Sequence, residues 1–341
     1  MNCRRVAVVT GSNCGVGFAV ASALAAPPHA YHVILACRSV ARANDAAMKI
    51  CKACPSASVS TVLLDTSDLD LVRTCCETLR GQVQAISVLI NNAGIGGIGR
   101  PAEPTADGDD LVFRTNFVGH FMLTLGLLDL LFAGAPSRVV NVSSVTHRSG
   151  SAEWEASLPF HADARTYSSS KLALACFTTE LNRRYGATHG LRAISANPGA
   201  VCSEIWFRGQ QPPWQARLLR ALFRCVFLSP AQGATPIVSA ATATEWDAQA
   251  PKVKQKTATA TAAAGAELPL RPNDAMESLY LCPYRTPTHC PMPWELHGPF
   301  AGARACSPHP LVRDAGACAR LWEMTCIHLV QRTGRSPLAL T

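Results

Sequence analysis

The stretch Thr166–Leu172, TYSSSKL, sets Tyr167 and Lys171 four residues apart. On a helix that spacing stacks the two side chains on one face, a turn apart. A free phenol has a pKa of about 10, too high to exchange protons readily near neutrality. An ammonium group held beside it favours the phenolate, and a further cation would favour it more. The pair is a candidate acid/base for moving a proton on or off a carbonyl oxygen. The same spacing is also found on ordinary helices, so the reading depends on the elements that position the pair.

Those elements begin at the N-terminus. Arg5–Thr10 reads as a buried strand, and TGSNCGVG follows it with glycines at Gly11, Gly15 and Gly17. A helix then runs to about Ala26 and stops at Pro27 and Pro28. A strand, a glycine turn and a helix make a dinucleotide site. Glycines let the backbone approach a pyrophosphate, and the helix N-terminus presents N–H donors and a positive dipole. The spacing is GxxxGxG rather than GxGxxG.

The second strand, His32–Ala36, is followed by Cys37, Arg38 and Ser39. In such folds the end of that strand lies at the adenosine ribose, where an acid would bind the 2′-hydroxyl of NAD. Arg38, with Arg42 four residues on, instead suits a 2′-phosphate through paired charge-assisted hydrogen bonds. The expected cofactor is NADP(H), with NAD(H) as the alternative. The bland reading is a solvated pair of arginines at a helix start.

A third strand, Val59–Leu64, ends at Asp65, placed to hydrogen-bond an adenine amine. A fourth, Ile86–Ile90, runs into Asn91, Asn92, Ala93 and Gly94, small and amide residues that leave room for a cofactor. One long apolar helix is expected over Leu111–Phe132, carrying Asn116. The fifth strand, Arg138–Val142, ends in Ser143 and Ser144, and Tyr167 follows after a loop with Trp154. The sixth, Leu191–Ala196, ends in Asn197, Pro198 and Gly199. Polar residues and glycines gather at strand C-termini, where ligands bind in open parallel sheets. The expected fold class is α/β: a doubly wound parallel sheet of Rossmann type, helices on both faces. It is read as a single domain over 1–330 with a tail over 331–341.

Composition narrows the function. With 341 residues, 48% hydrophobic and 16% charged, the chain can bury a large core. The net charge of +8 is spread without a dense basic block, which argues against nucleic acid as a partner. There are fifteen cysteines. The chain opens MNCRRVAVVTG and enters its first strand by Val6, so no secretory signal is expected. The thiols are then expected to be reduced, in an intracellular, cytoplasmic setting. Cys51 and Cys54 form a CxxC with no second pair at metal spacing nearby, so no metal is expected. The longest apolar run, His120–Phe132, falls short of the 18 or more residues of a membrane span and fits a buried helix.

Taken together these residues resemble the short-chain dehydrogenase/reductase family. The matching elements are Thr10-Gly11-xxx-Gly15-x-Gly17, Asn91-Asn92-Ala93-Gly94, Asn116, VNVSS at 140–144, Tyr167-xxx-Lys171 and NPGAV at 197–201. They come in the family's order over roughly residues 5–245, and the likeness resumes near 279–330. The resemblance implies that Tyr167 is the acid/base and that Lys171 lowers its pKa and holds the nicotinamide ribose. It implies that Ser144 hydrogen-bonds the substrate oxygen and that Asn116 holds a water in a proton relay. It places the cofactor against Thr10, Gly11, Ser12, Asn13, Cys14, Gly15, Val16 and Gly17, then Arg38, Asp65, Asn92, Ala93 and Gly94. Tyr167, Lys171, Pro198 and Gly199 continue that wall, with Val201 and Ser203 by the carboxamide.

Within the family the chain looks most like the retinol-dehydrogenase-like and WW-domain-oxidoreductase-like branch. ILACRS at 34–39, Trp154, SPAQGA at 229–234 and ARLWEMT at 319–325 carry that likeness. The implied activity is NADP(H)-dependent interconversion of a carbonyl and an alcohol on a lipophilic retinoid, steroid or aldehyde. The alternatives are C=C reduction with the same cofactor, or a non-catalytic cofactor-binding scaffold.

Two stretches depart from the family. Lys252–Leu270 is low-complexity and reads as the body of a flexible insertion over 252–275. Pro283–Pro299 is Pro-rich and reads as a surface segment. Trp214–Leu228 has apolar residues at helical spacing with Arg217, Arg220 and Arg224. It reads as a substrate lid, with peripheral membrane contact as the alternative. A homodimer is the oligomer considered.

Overall fold

The computed structural model describes residues 4–96, 104–152, 166–201, 227–244, 280–282 and 303–337. Apolar runs bounded by glycine or polar residues form the strands. They are β1 (Val6–Thr10), β2 (His32–Cys37), β3 (Ser58–Leu63), β4 (Val88–Asn91), β5 (Ser137–Val142) and β6 (Leu191–Ala196), with short β7 (Tyr280–Cys282) and β8 (Arg304–Cys306). The sheet order is β3-β2-β1-β4-β5-β6-β7-β8. The pairs from β3 through β7 are parallel, so strands such as VAVVT and SRVVNV are buried nearly throughout. The order reverses between β1 and β4, which opens a crevice at their C-terminal ends.

Helices cover both faces. On one face lie α1 (Gly15–Ala25), α2 (Val40–Ala53) and, from later in the chain, Pro230–Thr242; their apolar sides form a core with Val9, Val33, Ile90 and Ile194. The other face carries α3 (Leu69–Gln82), the short helices α4 (Leu111–Phe113), α5 (Gly119–Leu125) and α6 (Leu128–Ala133), and α7 (Thr166–Leu181). After α8 (Ala187–His189) and α9 (Pro230–Thr242), the final helix α10 (Ala315–Thr333) returns to this second face. Its Trp322 packs on Phe121 and Phe177 at centroid distances of 5.0 and 5.7 Å.

Two features differ from the sequence reading. The sheet is not wholly parallel, because β8 pairs antiparallel with β7 through three residues. The long helix expected over Leu111–Phe132 is broken. A π-turn at Arg114–Val118 separates α4 from α5, and Gly126 and Leu127 separate α5 from α6. Gly119 packs so closely on the Thr66 carbonyl that any Cβ there would collide with it. The helix takes up the extra residue just before this contact, and Asn116 sits on the bulge.

Cys51 and Cys54 are free thiols. No helix among the described residues is long and apolar enough to cross a membrane. Trp154, Ser203, 214–226 and the segments at 252–275 and 283–299 lie outside the described residues.

Candidate active site

A cleft of about 320 Å³ opens over the C-terminal ends of the central strands. At one end stand Arg38 and Asp65, following β2 and β3; at the other stand Ser144, Tyr167, Lys171 and Val201. Between them run the glycine turn from Gly11 to Gly17 and the strip from Asn92 to Ile95.

The floor is built by close backbone approach. Gly11 has φ +63°, and a Cβ on it would lie 2.8 Å from the Ala93 Cα. A Cβ on Gly17 would lie 2.5 Å from the Gly11 carbonyl oxygen and collide with the Asn92 amide. Asn92 uses that amide to donate to the carbonyl oxygens of Thr10 (2.8 Å) and Gly11 (3.3 Å). The bare turn at the start of α1 thus leaves helix N–H groups open to the cleft, a geometry that fits the pyrophosphate of a dinucleotide. Thr10 and Ser12 were expected at the cofactor but are fully buried and do not line the cleft. Ser12 Oγ donates back to the Val9 carbonyl at 2.8 Å.

Thr10 is instead the centre of a knot. Its Oγ1 accepts from the backbone N–H of Asn92 (2.9 Å) and Ala93 (2.8 Å). It also lies 3.0 Å from His120 Nε2. His120 Nδ1 lies 2.9 Å from the Asn116 carbonyl oxygen. That carbonyl can only accept, so Nδ1 carries the hydrogen and Nε2 accepts from the Thr10 hydroxyl. Full burial pushes the His120 pKa down to about 4, which keeps the ring in this neutral tautomer. His120 was not singled out in the sequence. The four-residue step from Asn116 to His120 was the only local sign of it.

Asn116 is anchored through its side chain. Its side-chain Oδ1 accepts from Ile95 N (2.8 Å), and Nδ2 donates to the Ile95 carbonyl (2.9 Å) and to Ser170 Oγ (3.1 Å). The amide is committed to protein, so a water held by Asn116 has only its backbone carbonyl to bind.

Helix α7 presents Tyr167 and Lys171 to the cleft one turn apart. A buried polar ladder fixes α7 against the sheet. Asn91 Nδ2 donates to Asn141 Oδ1, Asn141 Nδ2 to Thr178 Oγ1, and Thr178 pairs with Ser195 Oγ, each at 2.8–2.9 Å. Ser143 Oγ donates to the Lys171 carbonyl at 3.0 Å. Lys171 is 3% exposed, and its Nζ donates to the Val142 carbonyl at 2.9 Å and lies 5.7 Å from the Tyr167 ring centroid. Gly96 packs so closely on that ring that a Cβ there would meet it at 2.6 Å. Ser144 caps a 3-10 turn, Val145–Ser149, and hydrogen-bonds the Tyr167 hydroxyl.

Burial dominates the electrostatics here. It pushes the Tyr167 phenol up to about 12, against which only the Ser144 hydrogen bond pulls down. It pushes the Lys171 ammonium down to about 8. The lowering of Tyr167 expected from Lys171 is thus outweighed in this geometry. Each partner is held towards its neutral form, and a cation brought against the phenol would reverse that balance.

The cleft therefore gathers most of the residues singled out in the sequence: Asn13, Cys14, Gly15, Val16, Arg38, Asp65, Ala93, Gly94, Ser144, Tyr167, Lys171, Pro198, Gly199 and Val201. The family profile of the short chain dehydrogenases matches residues 5–211 of this chain. The chain belongs to that family.

The chain is 37% identical over 241 residues to the Dehydrogenase/reductase SDR family member 13 of Bos taurus, a match covering 69% of the chain and 62% of that protein. It is 35% identical over 243 residues to the Retinol dehydrogenase 12 of Mus musculus, covering 71% and 74%. Against the WW domain-containing oxidoreductase of Gallus gallus it is 35% identical over 251 residues, covering 71% and 59%. The chain thus spans less than two thirds of the bovine and chicken proteins. Among solved structures, an uncharacterised protein from Mycobacterium paratuberculosis superposes with a TM-score of 0.62 at 26% identity, covering 97% of this chain and 94% of that one. The Pseudomonas aeruginosa RhlG/NADP active-site complex shares the fold, with a TM-score of 0.55 at 24% identity over 70% and 90%.

Proposed function

We propose that this dehydrogenase interconverts a carbonyl and an alcohol on a lipophilic small molecule, using NADP(H). The observation that carries the reading is the meeting of Ser144, Tyr167 and Lys171 in one cleft with the glycine turn and Arg38. The dinucleotide, when bound, supplies the reducing electron pair or accepts it. In reduction the Tyr167 hydroxyl gives its proton to the carbonyl oxygen; in oxidation the phenolate takes the alcohol's proton. Ser144, already bonded to that hydroxyl, positions the same substrate oxygen. Lys171, at about 8, can hold or release a proton at working pH, and in this reading it also holds the nicotinamide ribose from its place in the cleft wall.

Arg38, exposed at the end of β2, supports the phosphorylated cofactor. Ile95, Leu111 and Val201 give the Tyr167 end an apolar wall, and relatives named as retinol dehydrogenases agree with a lipophilic substrate. The test is NADPH consumption by the purified protein against a panel of aldehydes and ketones, retinal among them, beside a titration of NADPH binding. Turnover of at least one apolar carbonyl is expected. Tight NADPH binding with no turnover across the panel would overturn the reading.

A further inference from the structure

We infer that His147 is a positioning residue that holds Ser144 in place and ties the catalytic turn to the C-terminal segment Ser307–His309. The inference rests on the function proposed above. His147 is fully buried, three residues after Ser144, and does not line the cleft. Both ring nitrogens are engaged. Nδ1 lies 2.7 Å from the Ser144 carbonyl oxygen, and Nε2 accepts from the His309 backbone N–H at 3.1 Å. A carbonyl can only accept and a backbone N–H can only donate, so one neutral tautomer satisfies both. The ring face rests on Tyr280 of β7 at 4.6 Å. The next residue repeats the link, with Arg148 Nη2 donating to the Ser307 carbonyl at 2.7 Å.

The geometry separates two jobs of one residue. The Ser144 carbonyl is gripped from behind by the ring of His147 and by its backbone N–H (3.1 Å). This leaves Ser144 Oγ to face Tyr167 from a fixed peptide. The second nitrogen reaches a segment more than 150 residues later, which leads into α10. A histidine that only filled the core would need neither bond in particular. A positioning histidine needs the bond to Ser144 and transmits the other.

Two isosteric variants distinguish these roles. In His147→Asn the amide nitrogen takes the place of Nδ1, keeps the bond to Ser144 and releases His309. In His147→Gln the amide oxygen reaches the place of Nε2, keeps His309 and releases Ser144. Both, with His147→Ala, would be made in the full chain. The readouts are NADPH affinity, kcat and KM on a carbonyl that the wild type turns over, and hydrogen–deuterium exchange at 143–150 and 303–314. We expect His147→Gln and His147→Ala to lose about tenfold or more in kcat at unchanged NADPH affinity, and His147→Asn to stay within about threefold. Exchange at 143–150 should quicken in the glutamine and alanine variants and not in asparagine. Wild-type kcat in His147→Gln, or an equal loss in asparagine and glutamine, would overturn the inference. Should alanine fail to fold, the asparagine–glutamine pair decides alone. If the wild type turns over no carbonyl, the proposed function falls. Exchange then judges the inference: a selective change at 143–150 upholds it, and equal change in all variants removes it.

Discussion

Two cations line the same cleft and do different work because of where they stand. Arg38 is exposed at the adenosine end, while Lys171 is 3% exposed at the reacting end. An exposed guanidinium keeps its charge, is screened by salt, and acts by choosing among anionic ligands. A buried ammonium has lost its hydration, so its charge becomes adjustable, and burial brings Lys171 to about 8. Under the function proposed above, the contrast separates selection of cofactor from control of proton transfer.

The sharpest way to break that separation is at the reacting end. Tyr167→Phe removes the hydroxyl proposed to transfer the proton and leaves the cleft walls in place. Turnover should fall by about 10²–10⁴ while NADPH affinity holds. Retained turnover in the purified variant would take the acid/base role away from Tyr167. Next in size is the floor shared by both ends. Gly17→Ala drives a methyl into the Asn92 amide and the Gly11 carbonyl, which are hydrogen-bonded to each other. We expect a loss of about 1–3 kcal/mol in denaturant unfolding, with NADPH affinity weakened about tenfold or more. An unchanged midpoint and affinity would mean that the turn is looser than its geometry.

These residues also mark what could be read from the sequence. Strand β6 begins and ends where its apolar run does, at Leu191 and Ala196. Arg38, Asp65 and Pro198 fall on the cleft because strand ends in a parallel sheet converge there. The break in the helix after Leu111 was illegible for a physical reason. The segment is buried almost throughout, so hydrophobic periodicity carries no phase, and the close contact beside the break is with Thr66, far away in the chain. His120 and His147 were missed in the same way, since Thr10 and His309 are 110 and 162 residues distant. Three residues, Arg304–Cys306, are too few to announce an antiparallel edge.

At the exposed end the expected effect is smaller. A charge-assisted hydrogen bond contributes roughly 1.5–3 kcal/mol, so Arg38→Asp should shift the kcat/KM ratio of NADPH to NADH towards NADH by about tenfold or more. Arg42, exposed in the first turn of α2, can share the phosphate, and replacing it as well should enlarge the shift. With Tyr167 and Lys171 untouched, kcat at saturating NADH should stay near that of the wild type with NADPH. An unchanged ratio in the double variant, or a wild type that prefers NADH, would sink the assignment.

The last expected effect concerns the buried histidines and acid. Burial lowers both His120 and His147 from 6.5 to about 4. Between those values the unfolded chain binds protons that the folded one refuses, so stability falls as pH drops from about 6.5 to about 4. Asp109, bonded to Arg114, His328 and Arg332, behaves differently. These partners hold its carboxylate at about 2 instead of 3.8, so its contribution persists above 3.8 and is lost only as pH falls through about 2. The window from 6.5 to 4 therefore reports the histidines, with His29, His32 and His309 adding smaller shifts of the same sign. The melting temperature should decline across it, at about 2–4 °C per kcal/mol lost. His147→Asn removes one of the two groups and should flatten the decline, whereas Arg38→Asp, at the exposed end, should leave its slope unchanged. A melting temperature that rises on acidification, or a slope the same in His147→Asn as in the wild type, would show that these rings are not held neutral by the fold.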